Sequence, residues 1–244
     1  MLKKLPVLLL VFALSIGAAD FWVAKPFTEW NDKEVQKLLS DSPWSAQVVI
    51  GGGPAGDSGS GGGGGNGGGG GGGGGGKRGR GSSGDSGSAG DSGGDKGGGV
   101  GIGVTLTLLW QSALPVKQAV TKRQFGAEAA TSPDAKARME RSEKFYLLTM
   151  IGLPASMRRA VEGDKKEALL PLSTITASGK APITATDIQV GTGANSAIVV
   201  FVFPKTSEFS VDDKEVEFAA KFDKTTVKHK FKLKSMVFNG KLEM

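Results

Sequence analysis

Three short segments set residue types at spacings that chemistry uses. In Val48 to Gly56 an apolar run precedes Gly51, Gly53 and Gly56, the spacing with which a backbone turn approaches a pyrophosphate at a helix N-terminus. The residues after Gly56 refuse that helix: between Gly61 and Gly76 every residue is glycine except Asn66, and each glycine costs a helix about 1 kcal/mol. Gly-Asp-Ser-Gly occurs three times, around Ser58, Ser86 and Ser92. A nucleophilic serine needs a histidine base and rigid oxyanion donors. The chain's single histidine, His229, lies far downstream, and the repeats sit in low-complexity sequence. Lys77-Arg78-Gly79-Arg80-Gly81 has the composition of an RNA-binding cluster but no aromatic residue near it for base stacking. With one histidine and no cysteine, a metal site would fall to carboxylates, and no Asp-x-Asp-x-Asp spacing occurs. No catalytic residue, cofactor or metal is expected from these segments, and nucleic acid is a poor candidate partner.

A fourth pattern fits binding better. Lys228, Lys230, Lys232 and Lys234 alternate with His229, Phe231 and Leu233. On a strand this puts four ammonium groups on one face, about 6.8 Å apart. Such a row could engage anionic glycan, lipid headgroups or another acidic protein. The plainer reading is a solvated sheet face, half neutralised by Glu215 and Glu217, that discourages edge pairing. A carboxylate-dependent hydrolase is the competing reading, with Asp187 set against Glu143 or Asp164 by the fold. His229, on the inward face, reads as a buried neutral residue, and Trp22, Trp30 and Trp44 as core.

The elements that would position these residues are legible in part. Asn31-Asp32-Lys33-Glu34 has capping-box spacing, with Trp30 and Val35 as a hydrophobic staple. Val35, Leu38 and Leu39 then form one apolar helix face that ends at Ser42-Pro43. Trp44 to Ile50 reads as a strand, and Val104 to Trp110 as another by period-2 alternation; the two are expected to pair. Further helices are predicted from Pro115 to Phe125, from Ser132, and between Pro154 and Gly163. Strands are predicted at Phe145–Ile151, Leu169–Thr176, Asp187–Val190 and Ala197–Phe203. At the C-terminus a hairpin turning at Asp223 to Thr226 would set Phe222 against Val227. Val216, Phe218, Ala220 and Phe222 would then meet Leu233, Phe231, His229 and Val227 inside, while Glu217 and Glu215 would meet Lys232 and Lys234 outside. The class is α+β: a mostly antiparallel sheet of about six or seven strands with three or four short helices.

Most of the chain's 40 glycines fall between Gly51 and Gly103. That stretch has no apolar residue between Ala55 and Ala89, so residues 51–100 are predicted to be a disordered insertion. Residues 20–50 and 101–244 would then form one domain, with the tract as a giant hairpin loop. Met1 to Lys4 is basic, Leu5 to Ile16 is apolar and Gly17-Ala18-Ala19 is small, the pattern of a cleavable signal peptide over 1–19. A span takes about 20 apolar residues, so a permanent anchor is the weaker reading and no transmembrane segment is expected in the mature chain. The absence of cysteine excludes disulfides. The net charge of +6 falls to mildly basic once Lys3 and Lys4 are removed. The segments 25–50 and 213–238 resemble exported bacterial proteins of no assigned function. That resemblance implies a periplasmic or secreted α+β domain and assigns no site residues. The expected occupation is a non-enzymatic binding or structural module of the envelope or extracellular space, or else a matrix component spaced by the glycine tract.

Overall fold

The computed structural model describes residues 20–51, 103–141, 143–193 and 196–244. Residues 1–19, expected to be a signal peptide, and the tract beyond Gly51, with its serine and arginine motifs, lie outside the described residues. The described residues begin with α1 (Phe21–Ala24) and α2 (Asp32–Ser40). Both halves of the α2 capping box form: Asn31 Oδ1 accepts the Glu34 N–H at 3.0 Å, and Glu34 Oε2 accepts the Asn31 N–H at 2.8 Å. Val35, Leu38 and Leu39 are buried, and the Ser42 hydroxyl donates to the Leu38 carbonyl at 2.7 Å where the helix stops.

β1 (Ser45–Ile50) and β2 (Val104–Trp110) pair antiparallel, with Ile50 opposite Val104. The residues on either side of the glycine tract are therefore cross-strand neighbours, as their patterning predicted. α3 (Leu114–Phe125) has Pro115 in its first turn and ends at Gly126, whose φ of +55° suits glycine. α4 (Pro133–Glu140) starts at Ser132 as expected. β3 (Phe145–Pro154) comes next. The helix expected between Pro154 and Gly163 forms over residues 155–160, wound as a 3-10 helix. One expectation fails beyond it. Leu169 closes α5 (Asp164–Leu169), and the strand expected from Leu169 begins only at Ser173, because Leu170-Pro171-Leu172 is a further 3-10 turn in which Pro171 has no N–H for a ladder.

The remaining strands are β4 (Ser173–Ala177), β5 (Ile183–Thr184), β6 (Asp187–Thr192), β7 (Ser196–Pro204), β8 (Glu215–Phe222), β9 (Thr225–Lys232), β10 (Val237–Phe238) and β11 (Lys241–Leu242). They divide between two main sheets rather than forming one, in the orders β1-β2-β3-β7-β6 and β5-β4-β8-β9, with β10-β11 as a small ribbon. All the pairings are antiparallel, and the class is α+β. The sheets meet through Phe201, whose ring lies 5.1 Å from that of Phe218, and through Trp110, 5.6 Å from Phe231. α2 and α3 pack together beside β1 and β2. With no disulfide available, this aromatic core and the ladders hold the domain.

The C-terminal hairpin keeps its expected faces and changes its register by two. Phe222 pairs with Thr225, Phe218 with His229 and Glu215 with Lys232. The turn is the two residues Asp223-Lys224, with Asp223 at a φ of +47°. Two-residue turns with positive φ at the first position match strand twist better than a four-residue loop. Because side chains alternate with period two, a shift by two leaves every residue on its predicted face.

Candidate functional site

β9 is the edge of its sheet, and its outward face carries Thr226, Lys228, Lys230 and Lys232, all four exposed. Lys234 lies past the strand, on the 3-10 turn Leu233–Met236, so the expected row of four on one strand is three plus one. The ladder to β8 ends at Glu215↔Lys232, and beyond it the Leu233 N–H donates to the Lys214 carbonyl at 2.9 Å as the chain enters the 3-10 turn. β8 supplies the counter-charges diagonally. Lys230 Nζ donates to Glu215 at 2.6 Å and Lys228 Nζ lies 3.9 Å from Glu217. The hydrogen bond to Glu215, then that carboxylate's charge, raises the Lys230 pKa above its ordinary value. Among the described residues Lys232 and Lys234 have no carboxylate at ion-pair distance. Lys221 stands on the same face of β8, and Thr174 and Thr176 of β4 continue it. The result is a polar surface with surplus positive charge and, among the described residues, no aromatic ring.

His229 lies behind this row, half-buried, with its ring 4.7 Å from Phe231. It sits opposite Phe218 rather than Ala220, a consequence of the register. Burial lowers its pKa, keeping the neutral form. The tryptophans are core as expected: Trp22, Trp30 and Trp44 are buried, and Trp44 Nε1 donates to the Glu243 carbonyl at 2.9 Å.

Two acids of the hydrolase reading, Asp187 and Glu143, are held by different cations. Asp187, on β6, is held by Lys166 of α5 at 2.8 Å, and hydrogen bonds from Lys166, Gln189 and the Ile188 N–H keep its pKa low. Glu143 is bound instead by Lys117 of α3 at 3.2 Å and Arg141 at 3.3 Å. A cleft of about 650 Å³ includes Glu143 in its lining but neither Asp164 nor Asp187. Sequence reasoning missed this cleft. α3, the start of β3 and residues 205–209 form its walls, and Lys205 Nζ sits 4.9 Å above the Tyr146 ring. Tyr146 OH donates to the Ser207 carbonyl and accepts the Phe209 N–H, both at 3.4 Å, which latches that segment; burial raises its pKa. These residues come from distant segments with no shared motif, so no sequence signal marked them. Among the described residues no helix is long and apolar enough to cross a membrane, and no three metal-ligating side chains cluster. No family model, no curated protein and no solved structure matches this chain.

Proposed function

We propose that this chain is an exported, non-enzymatic binding module whose lysine-bearing sheet face engages an anionic surface, with lipid headgroups the first choice and anionic glycan the second. The observation that carries this reading is the placement of Lys228, Lys230 and Lys232 on one solvent-facing edge strand, with Lys234 just beyond, against only two carboxylates. Exposed ion pairs are worth little in water, so Glu215 and Glu217 moderate the field without abolishing it. The absence of an aromatic ring among the described residues of that face favours charge recognition over sugar stacking. Export rests on the basic, apolar and small-residue order of residues 1–19.

The test is co-sedimentation of the purified chain with phosphatidylglycerol vesicles, phosphatidylcholine vesicles and alginate at low salt. Binding to an anionic partner should fall at least tenfold when Lys228, Lys230, Lys232 and Lys234 all become Gln, and should weaken steeply with salt. Equal binding by that variant, or no binding by the parent, removes the proposal. Export is checked separately by the mass of the protein recovered from the cell envelope, which should begin at Asp20.

A further inference from the structure

The outer edge of β6 presents an open hydrogen-bonding ladder. β6 pairs with β7 from Asp187↔Val202 to Thr192↔Ala197, and one step on the Gly193 N–H donates to the Ser196 carbonyl at 2.7 Å. In an antiparallel pair, residues bonded to the neighbour alternate with residues whose N–H and C=O point away. Counting back from Gly193, the residues bonded to β7 are Gly191, Gln189 and Asp187. Ile188, Val190 and Thr192 therefore turn their backbone groups outward. A separate contact agrees: the Ile188 N–H is taken by the Asp187 carboxylate at 2.8 Å. Among the described residues no strand pairs with β6 on that side. The Val190 N–H and C=O, the Ile188 C=O and both Thr192 groups thus await a partner strand.

The other edges are defended in ways β6 is not. β9 carries lysines, β5 has two residues, and β1 lies beside β9 with its Ser45 backbone bonded to Ser42. β6 contains no lysine or proline, and its one charge, Asp187, is neutralised by Lys166. The outward set 188, 190 and 192 is symmetric about Val190, which suits a two-fold axis. Gln189 would face Gly191, where no side chain competes for space. The two Asp187 carboxylates would stand at opposite ends of the ladder, about 20 Å apart at strand rise.

We propose that β6 pairs antiparallel with β6 of a second copy of this chain about a two-fold axis at Val190, joining two five-stranded sheets into one. Sedimentation equilibrium of the purified chain should then show a dimer. Val190→Pro deletes only an outward N–H, a place where an edge strand accepts proline. It should weaken the dimer at least tenfold with an unchanged circular dichroism spectrum, while Val190→Thr, which keeps the N–H, should dimerise like the parent. A monomeric parent, or a folded Val190→Pro dimer as tight as the parent's, overturns the proposal. Hydrogen exchange on the unmutated chain decides independently of any variant's folding: the Val190 and Thr192 amides should slow as concentration rises, and exchange that ignores concentration overturns it.

Discussion

Gly152 sits near the C-terminal end of β3 at a φ of +97°, where the register with β7 shifts between Ile151 and Leu153. A Cβ added there would stand 3.1 Å from the Thr105 carbonyl of β2. Replacing Gly152 by Ala thus combines two costs. Holding an L-residue in that backbone region costs about 1–3 kcal/mol. The close approach adds about 1 kcal/mol more, because the atom it meets is backbone in a central strand and cannot swing aside. The total is about 2–4 kcal/mol. Gly179, at a φ of +78°, has nothing within 4 Å of its added Cβ, so Gly179→Ala carries the conformational cost alone, about 1–2 kcal/mol. At about 2–4 °C per kcal/mol for a domain of this size, Gly152→Ala should melt about 5–15 °C below the parent and Gly179→Ala about 2–8 °C below. Urea unfolding followed by tryptophan fluorescence gives both losses, since all four tryptophans are buried. Losses for Gly152→Ala no greater than for Gly179→Ala would refute the claim that close strand contact makes glycine necessary in β3.

Further expectations concern single groups. Asn31→Ala removes the acceptor of the Glu34 N–H and should cost about 1 kcal/mol in urea unfolding; a loss below about 0.3 kcal/mol would show that the capping box contributes little here. His229 is the chain's single histidine, and burial lowers its pKa from 6.5. As pH falls, the unfolded chain takes up the proton first. Stability from this group is therefore full above pH about 6.5 and declines as pH drops from there toward the folded-state value. His229→Gln should flatten the change in urea midpoint between neutral and mildly acidic pH, and identical slopes in parent and variant would exclude His229 as the source.

Local features are legible in the residues themselves. The α2 capping box needs only four consecutive residues, and it forms with both bonds in place. The β1–β2 pairing joins two strand-like flanks of a glycine-rich tract, each patterned to pair. Alternation sets the faces of β8 and β9 but not their register, because apolar residues at every second position fit any even shift. The turn decides it, with Asp223 at positive φ. The 3-10 turn at 170–172 leaves no such mark, because apolar residues around Pro171 carry no period that separates strand from turn.

By itself, then, the sequence determined an α+β chain without disulfides, an inward His229, buried tryptophans and a lysine face. All of these rest on residue type and on periods of two or 3.6, which act within a few positions of the chain. Tertiary structure alone decided the division into two sheets, the pairing of β3 with β7, the turn that takes Lys234 off the strand and the open edge of β6. Each of those depends on which distant segment completes a ladder or fills a core position, and no local pattern carries that information. The dispersal of Asp187 and Glu143 to separate cations has the same cause: a carboxylate's partner is set by whichever element the fold lays beside it.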